Sequence, residues 1–373
     1  MSESTLHTLS KLADWWPGSD TPGIISGPCS AETKEQVLAT ARLLASTGKV
    51  HVLRGGLWKP RTRPDSFEGV GAEGIAWMVE ARNETGLPII TEVATAEHVE
   101  LCLKHGFDML WIGARTTVNP FSVQEIAEAL RGVDIPVFVK NPINPDLQLW
   151  IGAMERLQRA GIQKMAAIHR GFSYHGQSIY RNQPMWELPI ALRAQFENLP
   201  IFCDPSHICG RRDLLAQVAQ KALDLGMDGL MIESHITPDE AWSDARQQIT
   251  PDTLNDLLSS LQVRQAHFAN SQEEHVLAAL RSEIDKLDEE IIHLISQRMK
   301  VTEKIGQHKR EHNIMILQLE RWKEIMSTRT MLGEKLGLTP EFVEKYLEQL
   351  HKESIRTQTR VMNDGVTQSK TGL

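Results

Sequence analysis

Between residues 23 and 235 the chain repeats one pattern eight times: a short apolar, β-rich run followed by a longer amphipathic segment. The runs are GIISGPC (23–29), VHVLRG (50–55), PIITEV (88–93), MLWIGA (109–114), PVFVKN (136–141), MAAIHRG (165–171), PIFCDPSH (200–207) and GLMIESH (229–235). Strands that are apolar almost throughout, without alternation, are covered on both faces, which is the condition of a parallel sheet with helical crossovers. The intervening segments, such as ETKEQVLATARLLAST, space their apolar residues three and four apart, as a helix with one buried face does. Eight such units predict an α/β chain closed into a (β/α)8 barrel, with an open doubly wound sheet as the alternative.

A parallel barrel assembles its site from the C-terminal ends of its strands. The groups that interrupt the apolar runs fall at that end: Cys29, Arg54, Glu92, Arg115, Lys140, His169 with Arg170, His207, and Glu233 with His235. Every expected strand thus finishes on a side chain able to bind or react. Cys29, His207, Glu233 and Asp244 offer a thiolate, an imidazole and two carboxylates, a mixed donor set that suits a borderline divalent ion such as Mn²⁺, Fe²⁺ or Zn²⁺. The stretch LRGGLWKPRTRP (53–64) adds Arg54, Lys59, Arg61 and Arg63 on a backbone stiffened by Pro60 and Pro64. With Arg115, Lys140 and Arg170 these cations are costly to assemble unless anions neutralise them. Two phosphates and a carboxylate would do so, and a metal beside them suggests the joining of two phosphorylated small molecules, with the metal polarising a carbonyl.

Charge and composition exclude other classes. The chain has 373 residues and a formal net charge of −8, so it offers no basic face for nucleic acid. No stretch approaches the roughly 18 apolar residues of a membrane span, and MSESTLHTLSKLADWW lacks the pattern of a signal peptide. Cys29, Cys102, Cys203 and Cys209 are scattered too widely for a disulfide framework. A cytoplasmic enzyme is expected.

The barrel pattern stops after a helix over 251–263, and the aperiodic VRQAHFANSQEEH that follows reads as a linker. The expected organisation is a barrel over 1–264, a linker over 265–272, a helical domain over 273–362 and a flexible tail over 363–373. One long helix (273–311) should precede two shorter ones near 318–336 and 340–360, punctuated by Gly337 and Pro340. Along the long helix Leu277, Ile284, Ile291 and Ile305, with Leu280, Leu287, Leu294 and Val301, form a heptad-spaced seam expected to be packed. Arg298 interrupts it, and Lys309 follows 11 residues later on nearly the same face. A cation in an apolar stripe is expensive unless an anion meets it. Arg281 precedes Arg298 by 17 residues, about 25 Å on a straight helix, too far to share one small pocket within a chain. If it serves that pocket, it does so from a second subunit.

At this point the residues reach known families. GPCS (27–30), RGG (54–56), KPRT (59–62), WIGART (111–116), HRG (169–171), DPSH (204–207), IESH (232–235) and WSDARQ (242–247) resemble the 3-deoxy-D-arabino-heptulosonate 7-phosphate (DAHP) synthases. The resemblance covers about residues 20–263 and is closest in kind to the compact type Iβ subgroup, which lacks a large N-terminal extension. It implies condensation of phosphoenolpyruvate with erythrose 4-phosphate, the first step of the shikimate pathway. One divalent ion, Mn²⁺ ahead of Fe²⁺, Zn²⁺ or Co²⁺, would be held by Cys29, His207, Glu233 and Asp244. Arg54, Lys59, Arg115, Lys140 and Arg170 would hold phosphoenolpyruvate, while Lys59, Pro60, Arg61 and Thr62 would hold the sugar phosphate, leaving Lys59 as the catalytic cation between them. Glu92 would orient water or a lysine. The sister enzyme acting on arabinose 5-phosphate shares this barrel but typically carries an asparagine-containing motif in place of KPRT, so erythrose 4-phosphate is the expected sugar. Arg63 lies outside the resembling motif and reads as a solvated charge.

The order Arg281, Arg298, Lys309, Arg321, Ser354, Gln358 resembles the all-helical chorismate mutases and their intertwined dimer, over about residues 272–360. It implies rearrangement of chorismate to prephenate. Arg298, and Arg281 of the partner subunit, would bind the carboxylates; Lys309 and Gln358 would face the ether oxygen; Arg321 and Ser354 would complete the pocket. Gln318 and Trp322 stand where family members carry acidic groups that receive the substrate hydroxyl, which predicts weak catalysis or another partner for that hydroxyl. The alternative is a non-catalytic module that dimerises the barrels and senses chorismate or prephenate. Fusion of the two domains raises the expectation of feedback inhibition.

Overall fold

The computed structural model describes residues 9–18, 22–60, 67–196, 198–265 and 271–363. They belong to two compact units, Met1–Ala266 and His267–Leu373. In the first, β1 (Gly23–Gly27), β2 (Val52–Arg54), β3 (Ile89–Val93), β4 (Met109–Ile112), β5 (Val137–Lys140), β6 (Met165–His169), β7 (Ile201–Cys203) and β8 (Gly229–Glu233) close in sequence order into a parallel barrel. β8 returns to β1 in the register Gly23 to Gly229 and Gly27 to Glu233, which settles the choice between a barrel and an open sheet. Around it run α1 (Lys34–Ser46), α2 (Glu73–Thr85), α3 (Ala96–Lys104), α4 (Ala114–Thr117), α5 (Pro120–Ala129), α6 (Leu147–Arg159), α7 (Glu187–Gln195), α8 (Pro205–Cys209), α9 (Leu215–Asp224) and α10 (Pro251–Ser260).

The apolar runs are explained by two cores. Ile25, Val52, Ile90, Trp111, Phe138, Ile168, Phe202 and Met231 point into the barrel, whereas Ile24, Leu53, Ile89, Leu110, Val139, Ala167, Ile201 and Leu230 pack outward against the helices. Each strand is therefore buried on both faces. Trp16 plugs the base with its ring 5.1 Å from Phe202, and Trp15 lies 5.8 Å from Phe138. Trp111 marks the upper limit of the inner core, since the Arg54 guanidinium and the Lys140 ammonium sit over its ring at 5.0 and 5.6 Å. Helix starts follow the capping chemistry: Thr33, Thr95, Asn119, Asp146, Asp204 and Thr250 each accept a backbone N–H that the first turn would leave unpaired. At the end of β1, Gly27 has φ 149°, and a Cβ there would collide with the Arg54 carbonyl. Only glycine lets β1 and β2 close at this end of the barrel.

The second unit contains α11 (Ser271–Glu311), α12 (Leu319–Lys335) and α13 (Pro340–Asn363), with α11 and α12 both packed on α13. α11 begins at Ser271, inside the stretch expected as linker, and α10 ends at Ser260, short of the expected 263. The heptad seam is not packed within one chain: Leu280, Ile284, Leu287, Ile291, Leu294, Val301 and Ile305 are all exposed. Among the described residues, no helix is long and apolar enough to cross a membrane.

Candidate active sites

The C-terminal ends of the barrel strands converge as the sequence pattern requires. Lys59, Pro60, Glu92, Arg115, Lys140, Arg170, His207 and Asp244 line one polar cavity of about 50 Å³. Arg54, at the end of β2, is buried and places Nη2 3.1 Å from Glu233 Oε1 at the end of β8. Two further donors of that guanidinium, Nε and Nη1, are buried without a hydrogen-bond partner among the described atoms. Lys59 Nζ lies 3.0 Å from Cys29 Sγ, which is itself 3.4 Å from Asp244 Oδ2. Lys140, ending β5, pairs with Asp204 at 2.8 Å. Asp204 also caps α8 through the backbone N–H of His207 and lies 2.8 Å from the His207 Nδ1. Arg170 is held by its backbone N–H, donated to Asn141 at 2.7 Å. Arg61 and Thr62, assigned to sugar binding on sequence grounds, lie outside the described residues, as does Arg63.

The electrostatics are those of an anion and cation site folded into one. Burial opposes the charge on Arg54, but the Glu233 and Asp204 carboxylates outweigh it and raise its pKa. Arg170 is pushed down to about 10, by burial first and by Arg181 and Arg115 alongside, with Asp204 and Asp244 opposing. A cation so destabilised is relieved by an incoming anion. Burial also works against ionisation of Glu233 and Asp244, yet His207 with Arg54 for the first, and His207 with Arg181 for the second, hold both carboxyls below their ordinary range. Cys29 is pushed up to about 12 by burial, with Glu233 adding to it and Lys59 opposing. A bound cation reverses that balance, since a coordinated thiol loses its proton.

The donor set fits a borderline divalent ion. His207 Nδ1 and Glu233 Oε1 are buried 3.8 Å apart, and neither makes an aligned hydrogen bond despite charged neighbours close by. The four expected ligands stand in two pairs, Cys29 with Asp244 and His207 with Glu233, and no three bring ligating atoms within 4.8 Å of one another. The thiol and each carboxylate meet a cation of the chain: Cys29 meets Lys59, Glu233 meets Arg54, and Asp244 meets Arg181 at 2.9 Å.

Sequence reasoning passed over the groups that hold this arrangement. Gln247 donates to Glu233 Oε2 at 2.7 Å, and Gln248 accepts from the Cys29 N–H at 2.9 Å; both are buried. Arg181 bridges Asp244 and Gln247. Asp244 adopts a left-handed backbone, φ 49°, which aspartate tolerates better than most residues. Of Gln247, Gln248 and Arg181 only Gln247 lies in a quoted motif, and nothing in its spacing announced a carboxylate partner. Two of the expected strand-end residues stay out of the cavity. His169 is buried between Phe172 and Trp186 and pushed down to about 3 by burial, and His235 pairs with Glu32 at 3.4 Å; neither lines the cavity. Glu92 does line it, and accepts from Trp111 Nε1 at 3.0 Å.

The helical unit carries a separate pocket of about 250 Å³. Its lining includes Arg298, Lys309, Arg321, Ser354 and Gln358, contributed by all three helices, together with Gln318 and Trp322. Arg298 donates to Ser354 Oγ at 2.7 Å, and Lys309 donates to the Ile316 carbonyl at 2.6 Å. Burial lowers the Lys309 pKa. Trp322 stacks on His351 with ring centroids 4.0 Å apart. The Gln358 Oε1 is buried without a hydrogen-bond partner. Arg281 does not line the pocket: α11 is continuous from Ser271 to Glu311 and carries it away along the same rod.

A closed (β/α)8 barrel with a cationic mouth beside thiol, imidazole and carboxylate donors defines an enzyme of phosphorylated substrates, here followed by a second, helical catalytic domain. Residues 7–268 match the model of the DAHP synthetase I family, to which the chain belongs, and residues 280–359 match chorismate mutase type II. It is similar to the phospho-2-dehydro-3-deoxyheptonate aldolase of Thermotoga maritima, 30% identical over 254 residues that span 68% of this chain and 73% of the relative. The crystal structure of a Thermotoga maritima DAHP synthase superposes with a TM-score of 0.58 at 30% identity, covering 64% of this chain and 67% of that one. A 2-dehydro-3-deoxyphosphooctonate aldolase of Vesicomyosocius okutanii is more distant, 25% identical over 275 residues, 68% of this chain and 94% of the relative. The chain is a bifunctional shikimate-pathway enzyme, a transferase and an isomerase together, of a metal-dependent family whose substrates are phosphoenolpyruvate, erythrose 4-phosphate and chorismate.

Proposed function

We propose that the barrel holds one divalent ion, Mn²⁺ first among the candidates, on Cys29, His207, Glu233 and Asp244. Arg54, Lys59, Arg115, Lys140 and Arg170 grip phosphoenolpyruvate, and Lys59, Pro60, Arg61 and Thr62 receive erythrose 4-phosphate. The observation that carries this reading is the convergence of Lys59, Arg115, Lys140, Arg170, His207 and Asp244 on one cavity, with Cys29, Arg54 and Glu233 paired to one another and to these residues beside it, and with Arg170 held at a depressed pKa that an anion relieves. When bound, the ion supplies Lewis-acid polarisation of the aldehyde. The remaining work belongs to the protein. Arginine forks fix phosphate and carboxylate in one geometry, so the enolpyruvate carbon approaches the aldehyde already oriented. Trp111 floors the cavity under Arg54 and Lys140 and keeps water out from below. Chelator-treated protein reloaded with Mn²⁺ and offered both sugars should release phosphate with erythrose 4-phosphate; turnover of arabinose 5-phosphate alone would overturn the reading.

In the helical unit Arg298, Lys309, Arg321, Ser354 and Gln358 form the mutase pocket, completed by Arg281 of the partner subunit. The exposed seam on α11 supports that dimer, because a heptad-spaced apolar stripe demands a partner. The rearrangement needs no acid, base or nucleophile; it needs a compact substrate and charge at the breaking ether bond, the part this reading gives to Lys309 and Gln358. Loss of chorismate absorbance with purified protein tests catalysis, and an unchanged rate in Arg298→Ala would reduce the domain to a dimerising sensor. Prephenate bound there is proposed to slow the barrel reaction; no slowing at any concentration removes that part. The substrates of the pathway, and four free, buried cysteines, favour a cytoplasmic setting.

A further inference from the structure

The end of α11 carries His308, Lys309, Arg310 and Glu311, and His312 follows directly, an H-x-x-E-H sequence with two imidazoles four residues apart and a carboxylate between. Residues at that spacing share a helix face, and the same spacing lets two imidazoles reach one zinc ion. One ligating atom from each of His308, Glu311 and His312 lies within 4.8 Å of the others. The imidazole rings stand 4.2 Å apart at 43°. The His312 Nδ1 is 2.8 Å from the His308 carbonyl. A carbonyl only accepts, so Nδ1 holds the proton and Nε2 keeps its lone pair, the arrangement by which an outer hydrogen bond prepares a histidine for a metal. Asn313, at φ 53°, ends the helix at once, so the cluster crowns the helix terminus. All three side chains are exposed, and none lines the mutase pocket.

We propose that His308, Glu311 and His312 form a second metal site, independent of the barrel, for a borderline divalent ion such as Zn²⁺ or Ni²⁺. Two imidazoles select such ions over Mg²⁺ and Ca²⁺, which prefer oxygen donors. Among the described residues no further His, Cys, Asp or Glu joins the cluster, so water fills the remaining positions. The site sits on either side of Lys309, whose ammonium is anchored to the Ile316 carbonyl, so an ion there would stiffen the turn that carries that lysine.

The test is equilibrium dialysis of the chelator-stripped full chain against Zn²⁺, with metal counted by elemental analysis. Wild type should take up two ions per chain, Cys29→Ser one at the helical site, and the double variant His308→Ala, His312→Ala one at the barrel. Combining all three substitutions should remove both. Glu311→Gln should weaken the helical site about tenfold. Two ions retained by the double histidine variant would overturn the proposal, whereas two retained by Cys29→Ser would instead count against the barrel ligand set. Circular dichroism of the double variant checks that α11 persists, which exposed substitutions should leave intact.

Discussion

The two catalytic units solve the problem of gathering charge in opposite ways. The barrel mouth buries Arg54, Lys140, Asp204 and Glu233 almost completely, pairs each with an opposite charge, and backs them with Trp111. The helical pocket leaves Arg298 and Arg321 exposed, binds Arg298 to a single hydroxyl, and omits Arg281. A barrel closes on itself, so one chain can desolvate its own charges. The helical unit gathers its cations from three helices, and the apolar seam on α11 is bare within one chain. Self-sufficiency of the site follows from topology rather than from reaction type.

That contrast is broken most forcefully by removing the metal. Chelation, or Cys29→Ser, should lower DAHP formation about a thousandfold or more, the equivalent of several kcal/mol of Lewis-acid stabilisation, while chorismate turnover stays unchanged. Loss of both activities together would mean that the units are not chemically separate. Next in size is Arg298→Ala, expected to reduce chorismate turnover about 10²- to 10³-fold, as removal of one charge-stabilising donor does elsewhere.

The shared-site idea has a sharper test in mixed dimers. Arg281→Ala and Arg298→Ala chains, each nearly inactive alone, form on mixing one intact site per mixed dimer, because the defects fall together in the other site. Random exchange makes half the dimers mixed, so about a quarter of wild-type mutase activity should return. No recovery after denaturation and joint refolding would place both arginines in one chain's site, against the length of α11.

How much of this could be read beforehand differs between the two units for the same physical reason. A continuous apolar run is decided by local sequence, so all eight strands and the end on which Arg54, Lys140 and Glu233 sit were readable. Whether a polar strand-end residue faces the mouth depends on the pleat and the following loop, so His169 and His235 were misjudged. Gln247, Gln248 and Arg181 act only because the segment after β8 folds back over β1, a tertiary fact without a period. On α11 the helical period placed Arg298 and Lys309 correctly, yet the seam taken as packed is bare within one chain.

Gln247 offers a smaller effect within the barrel. Its amide holds one oxygen of Glu233 and leaves the other toward His207, so Gln247→Ala should weaken metal binding about 10- to 100-fold with the four ligands untouched. Calorimetric titration of the stripped protein measures this directly, and an unchanged affinity would mean that Glu233 needs no such support.

The smallest expected effect concerns the sugar side of the mouth. Trp58, immediately before Lys59 and Pro60, stacks on His98 of α3 with ring centroids 4.0 Å apart and planes 10° from parallel. His98 also accepts the Ala94 N–H through Nδ1, so its ring is fixed independently of Trp58. The stack ties the start of the KPRT stretch to a barrel helix, much as the Trp322–His351 stack ties the turn bearing Arg321 to α13. An aromatic pair of this kind contributes about 0.5–1.5 kcal/mol, so His98→Ala should raise KM for erythrose 4-phosphate by up to about tenfold. The metal affinity should hold, and KM for phosphoenolpyruvate should rise less than that for the sugar, because phosphoenolpyruvate shares Lys59 but is also gripped by Arg170 and Lys140, which do not touch this stack. If both KM values rose equally, the stack would be supporting the whole mouth rather than its sugar side, and the division of the cation set between two substrates would fall with it.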